Sequence, residues 1–216
     1  MQISFLHLYL TVASISTLLA VIVAIKAFVL RKHLSGNYSL FFYFFITDAL
    51  FDLIGFVFFI RKINNSLPLD LFSMIGFLLI SIPFLKHLKY LRTRKIFIVL
   101  IIIVLLVSIY WLFDPLQIKK FDLIPMALQS SVLMFLSAII LFNLSSNPSI
   151  NIFNSSVFWF ALGAFLYSLI DSVITSGLNF LIEINESMMV YVYIASPLVS
   201  LAKLTCFFKG LSRIRE

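Results

Sequence analysis

The stretch SLFFYFFITDALFDLIGFVFFI, Ser39 to Ile60, decides the fold. At about 1.5 Å of rise per residue it is long enough to cross a hydrocarbon layer about 30 Å thick. Its only charged side chains are Asp48 and Asp52; almost everything else is Phe, Leu, Ile, Val or Ala. A helix that is apolar nearly all round is read as a membrane span rather than as one wall of a water-soluble domain.

The rest of the chain repeats the pattern. Of 216 residues, 62% are hydrophobic and 12% charged, with a mean hydropathy of +1.11. Soluble domains average about 25% charged residues, so a chain this short cannot absorb so much apolar surface into a water-facing core. The reading is an all-α, polytopic transmembrane bundle forming one domain over residues 1–216. Seven apolar runs qualify as spans: roughly Ser4–Leu30, Ser39–Ile60, Leu69–Tyr90, Ile96–Phe113, Leu123–Leu144, Ser156–Ile182 and Met188–Leu211. Pro83 interrupts the third, whose lipid-facing part is expected to end near Leu85 and continue as a basic helical extension to Lys95; a re-entrant segment is the alternative. The opening MQISFLHLYL lacks a basic leader and is read as part of a retained first span.

Charge sets the orientation. The side holding the first, third and fifth connections and the C-terminus carries Arg31, Lys32, Lys86, Lys89, Arg92, Arg94, Lys95, Lys209, Arg213 and Arg215. The opposite side carries Arg61, Lys62, Lys119 and Lys120 with the acids Asp70, Asp114, Asp122, Glu183 and Glu186. The positive-inside rule then predicts an external N-terminus and a cytoplasmic C-terminus, in a bacterial cytoplasmic membrane. The net charge of +7 belongs to these span ends, not to a nucleic-acid surface. The lipid bilayer is the first partner. Arg92, Arg94, Lys95, Arg213 and Arg215 form the expected docking surface for a protein partner or anionic lipid.

Ionisable groups within spans mark function by default, because they are costly there. Lys26 lies one turn from the cytoplasmic end and is expected to snorkel. His7 lies near the outer end. Asp48 and Asp52 share one helix face by their i, i+4 spacing, as do Tyr167 and Asp171 in the sixth span. Tyr193, Ser196, Ser200 and Lys203 form a stripe on the seventh, with Pro197 within it, and Gln129, Ser130 and Ser137 make the fifth span polar. These faces predict a polar cavity between the second, fifth, sixth and seventh spans. Counting turns at about 1.5 Å per residue places Asp48 nearest Lys203 in depth, leaving Asp52 and Asp171 as a proton-carrying pair. Structural hydrogen bonding between helices is the competing reading, worth about 0.6–2 kcal/mol per contact.

Known chemistries are not spelled out. HExxH, GxSxG, P-loop and CxxC motifs are absent, the three histidines are scattered, and Cys206 stands alone. No metal site, cofactor or enzymatic activity is predicted. A lysine in a seventh helix resembles a retinal attachment point, but the third span offers no acid in its apolar part as counter-ion.

NIFNSSVFWFALGAFLY, ending at Tyr167, carries a more specific likeness. Its aromatic pair Phe158–Trp159, then Gly163, then Tyr167 resembles the sixth helix of short seven-span membrane proteins of Bacteroidetes-type bacteria. Two features depart from that pattern: Val157 stands where a proline precedes the aromatic pair, and Gly76 is the residue nearest to an expected acid in the third span. The resemblance implies the seven-span plan. The membrane halves of some bacterial sensor kinases share that plan, a likeness of fold alone. The predicted cavity, with no segment left over for an output domain, points to a sensory or ligand-binding module acting through a partner. A small proton- or cation-coupled transporter is the alternative.

Overall fold

The computed structural model describes residues 2–34, 36–61, 66–113, 124–146, 151–184 and 188–214. Lys62, Asp114, Lys119, Lys120, Asp122, Glu186 and Arg215 lie outside them, as do the side chains of Glu183 and Tyr193. The described residues form seven α-helices: α1 (Gln2–Val29), α2 (Ser39–Arg61), α3 (Ser66–Lys86), α4 (Leu91–Phe113), α5 (Ile124–Ser145), α6 (Ser156–Ile184) and α7 (Met188–Ser212). Short 3-10 turns at Gly36–Tyr38 and Ile152–Asn154 precede α2 and α6.

Among the described residues, five segments are long and apolar enough to cross a membrane: His7–Val29, Ser39–Arg61, Leu91–Phe113, Ile124–Ser145 and Ser156–Thr175. Their surfaces support the same conclusion. On α4, Phe97, Ile101, Val104 and Ser108 are buried, following the 3.6-residue helical repeat, while Ile96, Val99, Ile102, Ile103 and Leu106 are exposed. A helix that turns only a narrow stripe inward and large aliphatic side chains outward is built for lipid, since water would penalise such a face.

The helices close a ring in the order α1, α2, α3, α5, α6, α7, with α4 packed outside against α3 and α5. Two expectations change here. The basic extension after Leu85 is not continuous: α3 runs through Pro83 to Lys86, the chain turns at His87–Tyr90, and Arg92, Arg94 and Lys95 begin α4. The turn lets α4 fold back beside α3. Lys26, expected to snorkel, instead reaches α7. Its Nζ donates to the Phe208 carbonyl at 3.1 Å and to Ser212 Oγ, and lies 3.5 Å from the Phe208 ring centroid. There it meets the partial negative charge of a helix C-terminus.

Packing between helices must come from shape, because lipid tails are as apolar as the side chains they would replace. Phe41 and Phe45 of α2, Phe84 of α3, Phe160 of α6 and Phe207 of α7 are almost fully buried. Their rings meet at 4.7 Å for Phe41–Phe160 and 5.5 Å for both Phe41–Phe84 and Phe45–Phe207. Each such pair contributes about 0.5–1.5 kcal/mol beyond simple burial. Tyr38 lies 5.9 Å from His87, and its hydroxyl is 3.5 Å from Ser156 Oγ, so the starts of α2 and α6 and the α3–α4 turn share one end of the bundle.

Two glycines let α7 approach α6. A Cβ on Gly210 would stand 2.5 Å from Phe160 Cε1; one on Gly163 would stand 2.9 Å from Cys206 Cβ and 3.0 Å from the Lys203 carbonyl oxygen. Gly55 of α2, by contrast, has open space where a Cβ would go. Gly210→Val is therefore expected to cost about 1–3 kcal/mol by overpacking. Gly55→Ala is expected to be neutral or slightly stabilising through helix propensity. Thermal denaturation of both variants in detergent checks the contrast.

Candidate functional site

Lys203 is the cation at the centre of the bundle, only 6% exposed. Its Nζ lies 2.9 Å from Asp48 Oδ1 and 3.0 Å from Oδ2, so both carboxylate oxygens accept from one ammonium. The Tyr167 ring centroid is 4.7 Å from the same Nζ. One positive charge is thus held between a carboxylate on α2 and an aromatic face on α6. Both contacts strengthen where water is scarce.

The sequence explains how α7 delivers this lysine. Gly163 sits against the Lys203 carbonyl and allows the close approach; Tyr167, one turn further along α6, then lies over the ammonium. At the start of the helix, Trp159 Nε1 donates to the Phe153 carbonyl at 2.9 Å and pins the preceding turn. The aromatic–glycine–tyrosine series of α6 therefore fastens the entry, sets the helix spacing and contacts the central charge.

Beside the pair lies a cavity of about 150 Å³ between α2, α3, α5, α6 and α7. Asp48, Gln129, Tyr167, Asp171 and Lys203 all line it. Asp171 accepts a hydrogen bond from Ser130 Oγ. Ser168, fully buried, also borders the cavity, and among the described residues its hydroxyl has no hydrogen-bond partner. Phe44, Phe51, Phe72, Phe77 and Phe207 supply aromatic wall.

Gln129 is held from two sides. Ser73 Oγ of α3 donates to its Oε1 at 2.6 Å, and its Nε2 donates to Ser108 Oγ of α4 at 2.9 Å. Ser108 in turn donates to the Val104 carbonyl at 2.8 Å. This chain of donors crosses α3, α5 and α4 and fastens the outer helix to the ring. Neither Ser73 nor Ser108 was singled out in the sequence. Ser108 carried the available signal, being polar on an otherwise aliphatic helix.

The expected stripe on α7 changes most. Among its described side chains, only Lys203 lines the cavity, and that of Tyr193 lies outside the described residues. Ser200 is half-buried, and Ser196 is exposed although it lies seven residues, close to two full turns, from Lys203 on the same face. The bundle does not close over that part of α7. Helix α3, not counted among the polar helices, contributes Phe72, Ser73 and Gly76 instead. Ser137 turns back to its own helix, donating to the Leu133 carbonyl at 2.5 Å. Asp52 stands one turn beyond Asp48 but outside the cavity wall, and its Oδ2 is buried with no hydrogen-bond partner.

Among the described residues, no cluster of His, Cys, Asp and Glu side chains suits a metal ion. The arrangement can hold a proton on a carboxyl group and bind a polar or charged ligand beside the Gln129 amide and the Asp171 carboxyl. Arg92, Arg94 and Lys95 are exposed at the start of α4 and Arg213 is half-buried after α7, all at the end of the bundle marked by Tyr38 and His87.

These features define an α-helical, multi-pass membrane protein with a charged pair and a cavity in its interior. Comparison with family models, characterised proteins and solved structures finds no match.

Removing one member of a buried ion pair strands the other charge, whereas removing both can be nearly neutral. Lys203→Met alone is expected to destabilise the protein by about 3–5 kcal/mol, and the double variant Asp48→Leu with Lys203→Met to recover most of that loss. Denaturation of the two single variants and the double variant, taken as a thermodynamic cycle, measures the coupling.

Proposed function

We propose that this protein is a ligand-binding membrane module that reports occupancy of its central cavity to a partner. The observation that carries this reading is the cavity itself, left open beside the Asp48–Lys203 pair and lined also by Gln129 and Asp171. Polar groups serving only as glue between helices would satisfy one another and close the space. Pockets of small ligands instead combine apolar walls with a few placed polar groups, as here.

In this reading all seven helices cross the membrane, with the basic end in the cytoplasm. The aromatic–glycine–tyrosine feature of α6 supports placing the chain with the short seven-span proteins of Bacteroidetes-type bacteria, in a bacterial cytoplasmic membrane. Arg92, Arg94, Lys95 and Arg213 would form the surface that meets the partner.

A thermal-shift screen against small amines, acids and neutral metabolites tests the cavity. Compounds that stabilise the wild type are expected to lose their effect in Gly76→Leu, since Gly76 lines the cavity and has room toward Phe44, with the nearest atom 3.9 Å from a Cβ there. Finding no stabilising compound, or the same shift in Gly76→Leu, would sink the ligand-binding reading.

One observation favours a second reading, a proton- or cation-coupled transporter. The Asp48–Lys203 pair bridges α2 and α7, which are not neighbours in the ring, so protonating Asp48 would release a tie across the bundle. In liposomes, Asp48→Asn is then expected to abolish flux driven by a proton or cation gradient. Flux unchanged in that variant removes the transporter.

A further inference from the structure

We infer that the cavity selects a small organic cation, an alkylated ammonium of about the size of choline. This deepens the ligand-binding reading and rests on it.

The wall carries two carboxyl groups, Asp48 and Asp171, against one ammonium, Lys203, and Asp52 lies one turn from Asp48 on the same helix face. Asp48 is matched by Lys203. Asp171 has a hydroxyl hydrogen from Ser130 and, among the described residues, no ion-pair partner. The cavity therefore has acceptor capacity that Lys203 does not use, and a cation entering it would favour the ionised form of this second carboxyl.

The aromatic wall narrows the class. A compact, strongly hydrated metal ion needs a shell of oxygen ligands. An alkylated ammonium instead sheds water easily and is attracted to aromatic faces. Phe44, Phe51, Phe72, Phe77 and Phe207 surround the polar groups, and Tyr167 already presents its ring to one ammonium, that of Lys203. Lys203 shows the preference of the site in its own chemistry: its charged head rests between a carboxylate and an aromatic ring. The size fits, since an engineered apolar cavity of about 150 Å³ accepts a benzene molecule.

The test compares choline with 3,3-dimethyl-1-butanol, which has the same shape with carbon in place of the charged nitrogen. Binding to the purified full chain in neutral detergent is measured calorimetrically at ionic strength held constant with sodium chloride. Choline is expected to bind at least tenfold more tightly than the neutral isostere, and Asp171→Asn to lose at least tenfold of that affinity. Equal binding of the two compounds overturns the cation inference while leaving a ligand-binding cavity in place. Binding of neither compound also overturns it, and the Gly76→Leu comparison then decides separately whether the cavity binds anything. Choline affinity unaltered in a folded Asp171→Asn places the cation elsewhere and overturns the assignment. The isostere comparison uses the wild type and holds whether or not Asp171→Asn folds.

Discussion

A buried charge must be matched where it sits, and that constraint organises this bundle. Lys203 cannot reach water from the middle of α7, so it needs a counter-charge at its own depth. Asp48 provides one from α2, with both oxygens on the ammonium. The two helices are not neighbours in the ring, so the pair works across its interior, beside the contacts of Phe44 and Phe45 with Phe207. The cavity lies beside the pair.

The pair in turn depends on close packing on the other side of α7. Gly163 and Gly210 bring α7 against α6, and the phenylalanine cluster joins α2, α3, α6 and α7 near one end. Since lipid offers little hydrophobic reward for helix association, these shape contacts and the few interhelical hydrogen bonds must carry it. The Ser73–Gln129–Ser108 chain does the same for α4, which packs outside the ring. Lys26 adds a tie between α1 and the end of α7. The polar contacts are few, and each joins elements that greasy surfaces alone would not hold in register.

Much of this was legible along the chain. The helical class followed from composition, and the helix positions from the turn residues between apolar runs. The meeting of Asp48 with Lys203 was readable from depth, because a helix converts residue number into distance along the membrane normal. Tyr167 and Asp171 were readable as one face. Less visible was the company these residues keep. Ser196 shares a face with Lys203 but not its burial, because α7 is not covered there. Gly76, noted only for lacking an acid, lines the cavity, and Ser73 and Phe72 join it from a helix that had no charge in its middle to draw notice.

By itself, then, the sequence determined that this is a bundle of apolar helices, which residues lie at which depth, and which share a face. Those properties are local, set by the helical repeat and by the cost of placing charge in hydrocarbon. Only the tertiary structure decided the order of helices around the ring, the outer place of α4, the docking of Lys26 onto α7 and the five-helix wall of the cavity. The reason is physical: a lipid-facing apolar side chain and a helix-facing one are the same residue types. Which neighbour a helix takes is settled by glycine clearances and ring packing between segments far apart in the chain, and no periodicity records those.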